Sequence, residues 1–240
     1  MTQPAQVTPK ASTKTSATSS PSSPLILRGY WRSSATWRVR IALHLKGIEF
    51  DYRPIHLVRD GGEQHKPEYT RLNPLAQVPT LELSNGALLT QSLAMIDYLE
   101  QLVPEPSLFP QEPLERARAI QLAEIVNSGI QPLQNLSLLQ RLTRDYQADK
   151  IDWGRRVIAE GLIALEATLN AHSQDTKPSG DFLVGNQPTV AELCLIPQLY
   201  NARRFGVDLS VIPRLLRAEA ACVELPAFRA AHPDAQVDAQ

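Results

Sequence analysis

The chain has 240 residues, 43% of them hydrophobic, with 24 basic against 25 acidic side chains and a formal net charge of −1. That length suits one large or two ordinary domains, the apolar content supports a packed core, and the balanced charge leaves no electrostatic footprint for nucleic acid. Two cysteines, Cys194 and Cys222, argue against a disulfide framework and fit a reducing compartment such as the cytoplasm, and no apolar run is long enough to span a bilayer.

Residues 1–24 are dominated by Ser, Thr, Pro, Ala and Gln, with two lysines and no acid. Such a stretch buries too little apolar surface to offset its chain entropy, and a disordered tail is expected. It lacks the arginines and amphipathic pattern of a transit peptide. Leu25 to Gly29 is a short apolar run that reads as a buried strand. Ser33-Ser34-Ala35-Thr36 supplies capping hydroxyls, Val39, Ala42 and Leu43 follow at helical spacing, and Gly47 stops the helix. Glu49 to Ile55 reads as a second strand, so the unit is βαβ and its strands are expected to be parallel.

After a polar stretch, Pro67 opens a short helix to Leu72. Thr80 to Leu83 and Ala87 to Thr90 form a hairpin about Asn85-Gly86, and Gln91 to Val103 is helical. The order β-α-β-α-β-β-α is that of a thioredoxin-like α/β domain, expected over residues 25–104. Pro104, Pro106, Pro110 and Pro113 mark a linker at residues 105–113. From residue 114 to 240 the pattern is all-helical. A long helical stretch from Leu114 to Arg144 is expected to be broken or bent near Gly129 and Pro132, and Ile158, Leu162, Leu165 and Leu169 recur at helical spacing. Thr189 and Glu192 make a capping box, and Pro213 opens a helix toward Glu224.

Several polar groups stand where chemistry can be built, each with a plainer alternative. Ser33 and Ser34 are either simple caps or hydroxyls beside an anion site at a helix start. Gln91-Ser92 poses the same choice. Val78-Pro79 is either an ordinary strand-start proline or a cis bond. Arg38 and Arg204 suit carboxylate capture, although most arginines are solvated or ion-paired. Trp31, Trp37 and Cys194 read as packing residues, and the five histidines show no metal-ligand spacing. There is no Cys-x-x-Cys, no phosphate loop and no dinucleotide fingerprint.

Ser33-Ser34-Ala35-Thr36-Trp37-Arg38-Val39-Arg40-Ile41-Ala42-Leu43 resembles the serine-rich signature of zeta-class glutathione transferases, which include maleylacetoacetate isomerases. Residues Asn73 to Leu81, Gln91 to Ala94, Gln131 to Ser137 and Asn201 to Phe205 resemble four further segments of that family in the same order. The resemblance implies glutathione as cofactor, with Ser33 as thiol partner and Ser34 beside it. It implies a cis Val78-Pro79 bond facing the cysteinyl unit, Gln91 and Ser92 on the γ-glutamyl carboxylate, and Gln64 at the glycyl end. Gln131, Asn135 and Ser137, expected on the first long helix, would line the same cleft. Arg38 and Arg204 would take the carboxylates of a small dicarboxylate-like substrate. Many family members carry cysteine where this chain has Ala35, so no thiol can act there.

The implied reaction is thiolate addition to the cis double bond of maleylacetoacetate, rotation, and elimination to fumarylacetoacetate, in tyrosine and phenylalanine breakdown. A homodimer is implied too. Rival readings are a maleylpyruvate isomerase, an α-halo acid dehalogenase, or, in another class, a non-catalytic transferase-like interaction module. No metal, nucleic acid or membrane partner is expected.

Overall fold

The structure, a computed structural model, describes residues 24–175 and 180–240. All of the expected tail except Pro24 lies outside the described residues. Strand β1 (Leu25–Gly29) alternates buried and half-buried positions and runs parallel to β2 (Phe50–Pro54), with Leu25 opposite Phe50 and Gly29 opposite Pro54. Helix α1 (Ser34–Leu45) connects them, and Gly47 beyond it has φ +62°, the left-handed geometry that ends a helix. After the short α2 (Pro67–Thr70), β3 (Thr80–Glu82) pairs antiparallel with β1 and with β4 (Leu88–Thr90), giving the sheet order β2-β1-β3-β4.

The β3–β4 connection follows from its residues. Leu83 and Ala87 bracket a three-residue loop, Asn85 Oδ1 accepts from Ala87 N, and Gly86 supplies φ +82°. Helix α3 (Ser92–Leu102) then packs on α1. Lys46, after α1, donates to Glu100 of α3 at 2.5 Å and to the Pro104 and Pro106 carbonyls. This buried ion pair therefore ties the first helix to the proline-rich connection. Both Val78-Pro79 and Glu105-Pro106 are cis, the second without a signal in the sequence.

The helical stretch expected to break or bend near Gly129 and Pro132 is broken there, into four elements. These are α4 (Pro113–Glu124), a π-helical segment (Ile125–Ile130), a 3-10 turn (Gln131–Gln134) and α5 (Leu136–Tyr146). Pro132 has no N–H to continue the α ladder, and the register shifts just before it. Helices α6 (Lys150–Asp175), α7 (Val190–Arg204), α8 (Pro213–Val223) and α9 (Pro226–Ala231) complete the fold. The α7 capping box forms as its sequence dictates, with Thr189 Oγ1 accepting from Ala191 N and Glu192 Oε2 accepting from Thr189 N. One continuous hydrophobic core runs from Leu27 and Val39 through Leu122 and Ile158 to Leu195 and Phe228. Helix α1 lies at its centre, packed against α3, α7 and α9 as well as behind the sheet.

Candidate functional site

The turn between β1 and α1 carries the first site residues. Gly29 permits the tight approach, since a Cβ there would stand 2.2 Å from Thr36 Cγ2. Ser33 is the N-cap of α1, with extended backbone, and its Oγ accepts from Thr36 N at 3.3 Å. That contact uses an oxygen lone pair and leaves the hydroxyl proton to donate outward. The first-turn N–H groups and the helix dipole favour an anion at the same place. Ser34 is buried and its Oγ accepts from Asn201 Nδ2 at 2.8 Å, while Asn201 Oδ1 accepts from Arg204 NH1 at 3.2 Å. The end of α7 is thus bonded to the start of α1.

Arg204 brings its cation to this edge. Partial burial and then the nearby Arg32 guanidinium lower its pKa, so two like charges face the same region. Arg32 lies over the Trp31 ring at 5.0 Å. Among the described residues neither guanidinium is paired with a carboxylate. Arg203, by contrast, is held by both oxygens of Glu219 at 2.6 Å and takes the structural role.

The second helix start is equally specific. Gln91 caps α3 with φ +70° and ψ 116°, a conformation that non-glycine residues rarely adopt and that marks functional sites when the surroundings enforce it. Ser92 follows, buried, and accepts from Arg38 NH1 at 3.3 Å. Arg38 itself corrects an expectation. It is fully buried, donates to Asn127 Oδ1 at 2.5 Å, and lies behind Ser92 rather than at an open substrate face. The reason is the packing of α1 on both sides, which leaves this position no solvent-facing direction. Among the described residues its Nε and NH2 have no partner.

Gln64 is buried, with Nε2 donating to Leu57 O at 3.3 Å and Oε1 without a partner among the described residues. Gly62 gives it room, because a Cβ there would meet its amide at 2.5 Å. The Val78-Pro79 bond is cis, as the resemblance implied. Gln131, Asn135 and Ser137 do not lie on the first long helix. Gln131 opens the 3-10 turn, Asn135 caps α5, and the Ser137 hydroxyl donates to Asn135 Oδ1 at 2.9 Å.

Three residues were missed by sequence reading. Arg32 abuts the serine pair, and Asn201 precedes Arg204 by three residues on one helix face, so both left a signal. Asn127 left none, because only the π-helical segment turns it toward Arg38. Taken together, these groups suit a thiol-bearing peptide with carboxylates. There is a free hydroxyl donor, two helix starts, an unpartnered amide oxygen, and a buried guanidinium with spare donors behind Ser92.

Comparison with known proteins agrees. Residues 32–102 match the family model for the glutathione S-transferase N-terminal domain. The maleylacetoacetate isomerase of Dictyostelium discoideum is 44% identical over 218 residues, 90% of this chain and 96% of that protein. The crystal structure of the Anaeromyxobacter dehalogenans maleylacetoacetate isomerase with glutathione in its active site is 45% identical, with a TM-score of 0.80 over 90% of this chain and 98% of that one. A bacterial zeta-class maleylpyruvate isomerase in its holo form is 38% identical, with a TM-score of 0.83 over 90% of this chain and all of the other. The chain therefore belongs to the zeta-class glutathione transferase family that includes the maleylacetoacetate isomerases.

Proposed function

We propose that this protein is a glutathione-dependent cis–trans isomerase that converts maleylacetoacetate to fumarylacetoacetate. The observation that supports it most is the Ser33 hydroxyl, free to donate at a helix start, beside two guanidiniums that no carboxylate neutralises. Bound glutathione supplies a thiolate that adds to the cis double bond, permits rotation and departs, so it is regenerated.

The chain's own residues do the rest. Ser33 donates its hydroxyl proton to the sulfur and, with the α1 dipole, favours thiolate over thiol. Ser92 and the N–H groups of α3 hold the γ-glutamyl carboxylate, and Arg38 fixes the Ser92 hydroxyl from behind. Gln64 takes the glycyl end, and the Val78-Pro79 backbone takes the cysteinyl unit. Gln131, Asn135 and Ser137 border the cleft. Arg32 and Arg204 bind the substrate carboxylates and stabilise negative charge that develops during reaction. Asn201 sets Arg204 against Ser34, so charge and hydroxyl keep a fixed separation. With Ala35 in place of cysteine, the hydroxyl and helix start carry thiol activation alone.

The test is turnover of maleylacetoacetate with and without glutathione, in the wild type and in Ser33→Ala. We expect glutathione-dependent turnover that drops about a hundredfold in the variant, the scale set by loss of one charge-stabilising donor. Equal rates in the two proteins would refute Ser33 as activator. A second reading, maleylpyruvate as substrate, is favoured by the fold likeness to that isomerase. Comparing kcat/KM on the two substrates decides between them. We also propose a cytoplasmic homodimer. An apolar depression of about 190 Å³ between α3 and α4, lined by Leu93, Phe109 and Ile120 with Arg116 and Asp97 at hand, supports contact with a second copy. Sedimentation of the purified chain tests it.

A further inference from the structure

The turn that carries Arg32 and Ser33 is anchored at its preceding residue from a distant part of the chain. Trp31 is buried, and both of its backbone groups are bonded. Its N–H donates to Asp238 Oδ2 at 3.0 Å, and its carbonyl accepts from Arg40 NH2 at 2.7 Å. Asp238 stands 207 residues away in sequence, two residues before the last residue of the chain. Its Oδ2 also accepts from Tyr52 Oη at 3.3 Å. Arg40, fully buried on α1, reaches Ala231 O at the end of α9 through Nε at 3.1 Å and lies over the Tyr52 ring. One knot therefore joins α1, β2, α9 and the last residues to a single residue, through the peptide units on both of its sides.

That residue sits next to the site. Ser33 N donates to Tyr30 O at 3.0 Å, so Tyr30 to Ser33 is one tight turn, with Trp31 inside it. Fixing Trp31 at both its N–H and its carbonyl removes rotational freedom on either side of that residue. The orientation of the Ser33 hydroxyl and of the Arg32 guanidinium, stacked over the Trp31 ring, follows from it. Trp31 is buried, and among the described residues Asp238 is the acceptor recorded for its N–H, so loss of that carboxylate costs the amide its partner.

We propose that Asp238 is a positioning residue for the thiol-activating turn, holding Ser33 and Arg32 in their working geometry through the Trp31 amide. The inference rests on Ser33 as thiol partner. The carboxylate is needed as an acceptor for Trp31 and not for its charge, so Asp238→Asn retains function while Asp238→Ala does not. Asp238→Leu keeps the volume, removes the acceptor, and takes the same test should the alanine variant fail to fold. Misplacement of a reacting group by about 1 Å lowers rate on the order of a hundredfold, and a loosened turn is expected to cost about tenfold.

The experiment uses the full chain and three readouts. In the free protein, hydrogen exchange reports the Trp31 amide. In the binary complex with glutathione, ultraviolet absorbance against pH gives the midpoint of thiolate formation. In turnover, kcat is separated from KM. Asp238→Ala is expected to speed Trp31 exchange at least tenfold, raise the thiolate midpoint and lower kcat about tenfold. Asp238→Asn and Tyr52→Phe are expected to stay within about twofold of wild type. A folded Asp238→Ala or Asp238→Leu protein with wild-type thiolate midpoint and kcat overturns the proposal, whatever its melting temperature. So does an asparagine variant as impaired as the alanine one. If Ser33→Ala alone leaves the thiolate midpoint unmoved, it is the Ser33 reading that fails.

Discussion

Replacing Asn127 by alanine strips the nearest acceptor from a buried cation. Arg38 is 0% exposed, its bond to Asn127 Oδ1 measures 2.5 Å, and the other bonded acceptor, Ser92 Oγ, is a longer 3.3 Å away. Among the described residues Nε and NH2 already lack partners, so none of these takes over the lost contact. A hydrogen bond to a charged group contributes about 1.5–3 kcal/mol, and for a buried guanidinium left short of acceptors the upper part of that range applies. At about 2–4 °C per kcal/mol for a chain of this size, the melting temperature is expected to fall by about 4–12 °C. Adding Arg38→Met removes the charge that was stranded, so the double variant should recover at least half of the loss. The Ser92 hydroxyl loses its donor once Arg38 is gone, and the KM for glutathione should rise in the double variant. Thermal unfolding followed by circular dichroism, with glutathione saturation curves, measures both. An alanine variant within 2 °C of wild type, or a double variant less stable than the single, would refute the dependence of this guanidinium on Asn127.

Arg32→Ala and Arg204→Ala should each raise the KM of a dicarboxylate substrate about 10- to 100-fold, the value of one charge-assisted bond, with little change for glutathione. Arg203→Ala, whose native partner is Glu219, should leave both constants unmoved, and steady-state kinetics of the three separates them. Glu63 is held below its ordinary value of 4.5, first by its bond to Arg59 and then by the His56 backbone N–H. Its contribution to the loop bearing Gln64 is present above that ordinary value and is lost as pH falls through the lowered one. Glutathione affinity should weaken across that acid window, and Glu63→Gln should flatten the dependence when binding is titrated by calorimetry. Burial pushes the thiols of Cys194 and Cys222 well up, so both should resist alkylation in the native protein near neutral pH and react on unfolding, as mass spectrometry reads directly.

What the sequence reveals is what is local. The β1-α1-β2 unit, the Asn85-Gly86 turn and the Thr189 capping box each depend on residues within a few positions of one another, and each forms at its expected place. The two serines and Gln91-Ser92 were legible for the same reason, since caps are local chemistry. Arg38 was not. A helix packed on both sides has no single apolar stripe, and Arg38 and Arg40, two positions apart, point to opposite flanks, one toward α3 and the other toward α9. The break near Gly129 and Pro132 was legible from the proline, but the π register of the six residues before it was not, since no residue type marks that register in the sequence. The contacts Ser34–Asn201 and Trp31–Asp238 span 167 and 207 residues, and no pattern along the chain announces a hydrogen bond of that reach.

Because α1 is wrapped by α3, α7 and α9 within one uninterrupted apolar interior, the thioredoxin-like part and the helical part share their mechanical fate. A recombinant piece ending before Pro113 would strip Trp37 of Tyr200 and His232, bare it to solvent, and should aggregate instead of folding as a miniature transferase. The proposed partition of labour between a tripeptide-holding and a substrate-holding half would thus be chemical, not architectural. Evolution of a new substrate preference on the α7 side must keep faith with the helix that carries the serines.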